Sequence, residues 1–452
     1  MSIHKNLRFS FSALVVLFFL WGLLTSLNDI LVPHLKAAFD LKHWQAQLIQ
    51  FFFFGAYFLM SVPSGMIIRK IGYKKGIVVG LVLMGLGCFL FYPASIVKIY
   101  GVFLLALFVL ASGITILQVA ANPYVAIIGP EETAASRLNL AQGFNSLGHT
   151  IAPLFGAWLI LQNKEVVDVE TVQGPYVFLA LALLAVGGVF SFLKLPAIAY
   201  EGEGDRSGFR LWDYPHLYLG ALAIFCYVGA EIAVGSFLVE YFKSDPSIQL
   251  DVKTAGRYVA YYWGGAMTGR FLGALALDGS EKNQSKMLKM LGIPALAFAV
   301  AFLANYLSGA ETASTFGFLA ILLLNYLAFV FGKHTPSSIL SLFALCNMAL
   351  LLVTMLSKGQ LALWSVLGIG LFNSIMWSNI FTLAIARLKT FTSIGSSILV
   401  MMIAGGAIIP LLQGLFADVN GIGVKFSFLV PMVAYAYLVY YGRVGYAKMG
   451  NK

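Results

Sequence analysis

The sequence predicts an all-α, polytopic membrane protein of fourteen transmembrane helices, arranged as two bundles of six with a two-helix hairpin inserted in the second. Three observations predict it. Of 452 residues, 60% are hydrophobic and 11% charged, against about half and about a quarter in soluble domains, and the mean hydropathy is +0.86. Apolar runs long enough to cross a ~30 Å hydrocarbon layer at ~1.5 Å per residue recur from end to end. Lys and Arg fall unevenly in the loops between those runs. A soluble domain is excluded, as is a disordered or nucleic-acid-binding chain with an exposed basic surface, so the pI of 9.3 has another source.

The first element, 11–33, follows a basic leader, MSIHKNLR, and runs past Trp21 without a small-x-small cleavage site. It therefore reads as a retained span and not a removed signal peptide, and it carries Thr25, Ser26, Asn28 and Asp29. The second, 45–68, leads into GMIIRKIGYKK, which opens the first basic loop with Arg69. Spans at 76–93 and 99–128 follow, the latter with Gln118 and Asn122 in an otherwise apolar run. The fifth, 139–162, is amide-rich: Asn139, Gln142 and Asn145 stand three apart and share one helical face, with His149 four residues on. The sixth, 174–194, ends at PAIAYEGEGDRSGFRLWDYP, a Gly-rich, charged stretch without apolar periodicity.

That stretch reads as a cytoplasmic linker, 195–215, between an N-terminal bundle, 1–194, and a C-terminal one, 216–452. In the second half, 216–242 carries Glu231 and 255–278 carries Arg270. Spans 287–308 and 313–332 are the surplus pair, an extra hairpin at about 280–334. Then come 337–356, 361–386 with Asn373, Trp377 and Asn379, 394–416 and 426–442. GHTIAPLFG at Gly148–Gly156 and GGAIIPLLQG at Gly405–Gly414 share a Gly, an Ile three residues on and a Pro five residues on. They become equivalent fifth helices of two parallel repeats if the surplus pair is set aside, and repeats with a site at the midplane are a transporter device.

Loop charge fixes the expected sidedness, since Lys and Arg are retained in the cytoplasm. Alternating loops divide the 29 basic residues so that 19 fall with the two termini, nine fall opposite, and Arg270 stays in a span. Both termini are expected in the cytoplasm, and topology accounts for the pI. Cys88, Cys226 and Cys346 lie in apolar runs with no Cys-x-x-Cys spacing, so they read as inert thiols.

Charge inside a span costs several kcal/mol unless paired or hydrated. Asp29 and Glu231 are thus the candidate cation-coupling residues, each able to carry a proton or to help Na⁺ shed water, with Asn28 a further oxygen ligand. The plain alternative for Glu231 is an ion pair with Arg270; Arg270 and Arg69 are read as gating residues. Amides offer a donor and an acceptor side by side, which suits paired sugar hydroxyls. Gln118, Asn122, Asn139, Gln142, Asn145 and Asn373 are therefore the proposed substrate ligands, with Trp377 as a stacking face and Tyr261, Tyr262 and Trp263 as further flat faces. Amides also hold helices together, and His149 reads as a hydrogen-bonded core histidine. The sequence holds no phosphate loop, HExxH or GxSxG elbow. An enzyme is not expected, nor a resident metal beyond a transient Na⁺ at Asp29, nor a cofactor beyond the coupling ion.

At NDILVPHL, QVAANPYVAIIGPEE, RLNLAQGFNSLGHTIAP, FCYVGAEIAVGSFLVEYF and LALWSVLGIGLFNSIMWSNIFTLAIARL the chain resembles the bacterial fucose, galactose and glucose:cation symporters of the major facilitator superfamily, over most of residues 12–440. The resemblance implies two six-helix bundles that rock about a midplane sugar site, with the first-helix acid, Asp29, in cation coupling. Three departures stand out. Gln118 occupies the place of a Glu in the proton-coupled fucose permeases, as it does in the glucose/galactose members, which also resemble this chain at Glu231. Arg69 stands where many superfamily members have Asp, and the hairpin at 280–334 is additional. The expectation is an inner-membrane bacterial carrier, monomeric as a functional unit, taking up galactose or glucose with Na⁺ or H⁺. Its partners are the sugar and the bilayer and no nucleic acid. The alternatives are a fucose:H⁺ symporter and a membrane receptor that binds sugar without moving it.

Overall fold

The computed structural model describes residues 2–41, 43–160, 169–193, 195–196, 209–278, 283–307, 309, 311–332, 335–419 and 421–448. Side chains are described within these except at 2–8, 28–34, 36, 37, 43, 44, 46, 47, 50, 153–160, 169, 252, 283 and 284. The described residues form helices joined by turns, with no strand among them. In order the helices are α1 (Ser2–Ala38), α2 (His43–Ile71), α3 (Tyr73–Phe89), α4 (Phe91–Val97), α5 (Tyr100–Ile127), α6 (Ala134–Ile160), α7 (Gln173–Phe192), α8 (Pro215–Ser244) and α9 (Val252–Ala276). They continue with α10 (Asn283–Leu307), α11 (Ser314–Phe331), α12 (Pro336–Leu356), α13 (Gly359–Asn373), α14 (Met376–Ile385), α15 (Thr392–Met401), α16 (Gly405–Ala417), α17 (Gly423–Ser427) and α18 (Leu429–Arg443).

Twelve stretches among the described residues are long and apolar enough to cross a membrane, and each overlaps a predicted span. α6 and α9, of 27 and 25 residues, have spanning length but stand outside that set. Polarity sets these two apart, because they carry Asn139, Gln142, Asn145 and Arg270. Four spans read as continuous are divided. The run 76–93 becomes α3 and α4, 361–386 becomes α13 and α14, 394–416 becomes α15 and α16 across a 3₁₀ turn at Met402–Ala404, and 426–442 is shared between α17 and α18. At Ser374 the cause is visible: its hydroxyl and amide both bond the Leu371 carbonyl, at 2.5 and 3.4 Å, tightening the last turn in place of the regular ladder.

The chain divides into two compact units. Unit 1 holds 1–129, 144–209 and 385–404, and unit 2 holds 130–143, 210–384 and 405–452. α6 therefore leaves one unit for the other between Gly143 and Phe144, and the segment around α15 belongs with the N-terminal helices. Within unit 1, α3 packs on α5 and α7, and α2 packs on α5 and α15. There Ser396 donates to the Val119 carbonyl at 3.1 Å, and the Arg69 guanidinium lies 5.3 Å from the Phe391 ring centre. Within unit 2, α8 packs on α16 and α18, α12 on α13 and α18, and α9 on α13.

α10 and α11 pack on each other, α10 also on α9, and α11 on α13 and α9. A polar and aromatic knot docks one end of this pair. Asn305 Nδ2 donates to the Tyr261 hydroxyl at 2.6 Å and to Thr315 Oγ1 at 3.0 Å. Tyr261 meets Phe318 at 4.8 Å and Trp364 at 5.5 Å between ring centres. The indole of Trp364 fills the space over Gly317, where a β-carbon would overlap it. Gly317→Val is accordingly expected to lower stability by about 1–3 kcal/mol through overpacking, seen as a lower thermal midpoint in detergent, with Gly292→Val on the open side of α10, where a β-carbon meets nothing, as the neutral control.

Candidate functional site

Each unit buries its own polar cluster. In unit 1 the cluster is built from α1, α2 and α5. Gln118 is 2% exposed, and its Nε2 donates to the Tyr57 hydroxyl at 2.8 Å. Its Oε1 is buried with no hydrogen-bond partner among the described residues. Trp21 and Thr25 also bring hydrogen-bonding groups to Tyr57, while Asn122 Nδ2 donates one turn back to the Gln118 carbonyl at 3.1 Å. The result is an amide, a phenol, a hydroxyl and an indole in one buried patch. The side chains of Asn28 and Asp29 lie outside the described residues.

α6 meets α1 in the same unit at Asn145, whose Nδ2 donates to the Phe18 carbonyl at 3.0 Å. The two backbones approach closely, since a β-carbon at Gly22 would overlap the Asn145 carbonyl and one at Gly148 the Phe19 carbonyl. His149 Nδ1 lies 3.0 Å from the Asn145 carbonyl, an ordinary bond one helical turn back.

In unit 2 the ionic group is Glu231 on α8 with Arg270 on α9. Nη2 of Arg270 lies 3.8 Å from Glu231 Oε1, and the two side chains are 13% and 10% exposed. Arg270 Nε donates to the Ser374 carbonyl at 3.3 Å, at the break between α13 and α14, and Nη1 to the Gln142 carbonyl at 3.5 Å. A helix break inside a span frees carbonyls that must find partners. Here a guanidinium takes one of them, and Asn325 Nδ2 reaches the Leu371 carbonyl at 3.4 Å. α9 comes this close because a glycine stripe faces the break: β-carbons at Gly265, Gly269 and Gly273 would collide with Leu371, Ser374 and Ile375.

A second knot lies alongside. Asn373, fully buried, accepts from Asn347 Nδ2 and from the Tyr435 hydroxyl, each at 2.8 Å, and donates through Nδ2 to the Tyr262 hydroxyl at 3.0 Å. Tyr262 in turn donates to the Glu231 carbonyl at 3.0 Å. Four helices, α9, α12, α13 and α18, are thus tied to the backbone of α8 at Glu231. Trp377 and Asn379 are buried on α14; Trp377 stacks on Phe381 at 6.0 Å, and its Nε1 has no partner among the described residues.

The structure therefore brings together Gln118 with Asn122, and Glu231 with Arg270 and the Gln142 backbone. It divides the amide face read on 139–145. Asn139 lies against Gly273 of α9 in unit 2, and Asn145 against α1 in unit 1. Tyr57, Asn347 and Tyr435 were not singled out from sequence. Each is a polar residue in a long apolar run, as Gln118 is, and that signal would have found Asn347; the tyrosines also suit an interface belt.

A many-spanning helical protein with a carboxylate, a guanidinium and amides buried in its spans fits the class of membrane carriers, since such residues mark substrate and ion pathways. The chain is a member of the Major Facilitator Superfamily, whose family model matches residues 11–410. It is 45% identical over 451 residues to the "Glucose/galactose transporter" of Brucella abortus, covering 98% of this chain and 96% of the relative. It is 33% identical over 459 residues to the "L-fucose-proton symporter" of Escherichia coli, covering 96% and 92%. Among solved structures, the fucose transporter FucP in an outward conformation is similar with a TM-score of 0.79 at 31% identity, over 97% of this chain and 99% of that one.

Proposed function

We propose that the protein is a secondary active sugar carrier that imports a neutral hexose, galactose or glucose, together with a cation. What supports this reading above all is the full-length 45% identity to a glucose/galactose transporter. The unit 1 cluster suits the same substrate. Gln118 presents a buried carbonyl oxygen that no described residue satisfies, beside a phenol, a hydroxyl and an indole, and a sugar hydroxyl donates well to such an oxygen. Asn122, Asn139, Gln142 and Asn145 extend the proposed ligand set, and Trp377 supplies a flat face. Asn373 is proposed as a ligand organiser, its three hydrogen bonds already made within the protein.

The coupling role falls to Asp29, with Glu231 as the second acid and Asn28 as a neighbouring ligand. Arg270 and Arg69 are proposed to act on gating. In this reading fourteen helices cross the inner membrane of a bacterium, both termini lie in the cytoplasm, and the α10–α11 pair is an insertion into two six-helix bundles, 1–194 and 216–452. Substrate and ion leave chemically unchanged, so no catalytic residue is assigned.

Uptake of labelled galactose and glucose into proteoliposomes tests the proposal, with a Na⁺ gradient in one series and a pH gradient in the other. Accumulation is expected in one series only, and that series names the ion. Asp29→Asn is expected to abolish accumulation while sugar exchange persists, whereas a variant that still concentrates sugar would refute the coupling role. Binding without counterflow would favour the receptor reading, and fucose accumulated ahead of both hexoses the fucose one.

A further inference from the structure

We propose that unit 2 carries, where α8 begins and α18 ends, a headgroup site for an anionic phospholipid built by Trp212, Tyr218, Tyr440, Arg443 and Lys448. It rests on the chain crossing a bilayer and not on the sugar reading. Three pieces meet there: a 3₁₀ turn at Leu211–Asp213, the first turns of α8, and the end of α18 with a second 3₁₀ turn at Gly445–Ala447. The Tyr437 hydroxyl donates to the Leu219 carbonyl at 3.0 Å and joins the two helices. Gly445 lies close to both, since a β-carbon on it would come 3.6 Å from the Leu219 and Tyr440 side chains.

Lys448 is the centre of the cluster. Its ammonium donates to the Tyr440 hydroxyl at 3.1 Å. An ammonium has three N–H groups and no acceptor, so the phenol aims the cation while spending one of them. Tyr218 lies within electrostatic reach of the same ammonium, and Trp212 meets Tyr218 at 5.3 Å between ring centres. Arg443 is exposed three residues beyond Tyr440, on the same face of α18. The charge is one-sided: segments 209–222 and 429–448 hold Arg210, Arg443 and Lys448 against one carboxylate, Asp213. A phosphodiester matches that excess, because guanidinium and ammonium groups both bind phosphate.

The surface that adjoins the cations makes the anion a lipid. Leu429, Val433, Ala436 and Tyr440 are exposed and stand four, three and four residues apart, so one face of α18 is an open, largely apolar stripe leading to Arg443. On α8, Leu222 lies one turn beyond Tyr218 and is also exposed. Both stripes belong to stretches long and apolar enough to cross a membrane, Pro215–Ser244 and Gly423–Ala447. Trp212 is 77% exposed, and an indole beside charges suits the boundary between headgroups and acyl chains. A phospholipid has the same order of parts, an anionic head over apolar tails. A soluble anion would use the cations and leave the stripe and the indole uncovered. One bound lipid then bridges the start of α8 and the end of α18.

The test counts lipid bound to the purified full-length protein in detergent by native mass spectrometry, with phosphatidylglycerol and phosphatidylcholine of identical acyl chains offered in separate titrations. The parent is expected to hold phosphatidylglycerol roughly tenfold more tightly or better. Arg443→Gln/Lys448→Gln should lose most of that preference, since each base beside anionic lipid is worth roughly fivefold. Lys253→Gln/Lys358→Gln, which removes two exposed bases elsewhere in unit 2, should keep it. Tyr440→Leu leaves every charge in place but no longer aims Lys448, and should weaken phosphatidylglycerol roughly threefold. All five positions are exposed, so the variants are expected to keep the parent's thermal midpoint in lipid-free detergent. A preference that survives Arg443→Gln/Lys448→Gln, or falls equally in Lys253→Gln/Lys358→Gln, would overturn the proposal. An unchanged preference in Tyr440→Leu would reduce the site to diffuse attraction and overturn it as well. So would displacement of the lipid by inorganic phosphate at constant ionic strength.

Discussion

Glu231→Leu is expected to leave little folded protein, while the double variant Glu231→Leu/Arg270→Met recovers the fold and still fails to transport. Removing the carboxylate alone takes the counter-charge from a guanidinium that is 13% exposed. Breaking a buried pair in this way costs about 3–5 kcal/mol, a large part of the roughly 5–15 kcal/mol that hold a domain together. Replacing both partners by apolar groups removes the stranded charge along with the pair, and such exchanges are often neutral or stabilising. Thermal unfolding of detergent-purified protein checks the first half of the expectation, and uptake by the double variant checks the second. A single variant as stable as the parent would mean that the other contacts of Arg270 compensate its charge without Glu231.

The second large effect is expected at Asn373. Asn373→Leu removes two acceptor contacts and one donor contact, and leaves Asn347 Nδ2 and the Tyr435 hydroxyl to find new partners in a buried region, while the Tyr262 hydroxyl keeps only its bond to the Glu231 carbonyl. Each such group, left unmet, costs about 1–3 kcal/mol. A marked drop in thermal midpoint is expected, with sugar turnover falling because Tyr262 also fixes the Glu231 carbonyl. Asn373→Asp, which keeps the acceptor and loses the donor, should be milder in stability. If Asn373 instead touched sugar directly, its variants would raise the KM with the midpoint unchanged, and measuring both quantities separates the two roles.

Most of the architecture was legible because a bilayer leaves a coarse signal: twenty apolar residues make a span, and charge marks its ends. α10 and α11 were visible as spans on length and apolarity alone. Gln118 and Asn122 were legible for the same reason, as polar residues where polarity is costly. The break at Ser374 was not, since Ser-Ile carries neither Pro nor Gly, and only the short bond back to Leu371 reveals it. Tyr57 and Tyr435 were illegible as site residues because a tyrosine in a span serves equally as an interface anchor, a core side chain or a hydroxyl donor. The handover of α6 between units was beyond reach in principle. It depends on contacts such as Ser136 to Ala274, 138 residues apart in sequence, and no local pattern encodes which neighbour a helix half will choose.

α9 also bears on how the chain enters the membrane as it is made. With Arg270 in its second half and glycines along one side, it is not among the helices apolar enough to partition by themselves. An arginine costs the insertion machinery about 2.5–3.5 kcal/mol at the centre of a span and less toward its end, where Arg270 lies. The acid that offsets it belongs to α8, the span synthesised immediately before. Glu231 has therefore already been made when Arg270 emerges, and α8 and α9 can enter as a pair. The pairing that holds the finished protein is, on this view, first of all what lets its ninth helix leave water.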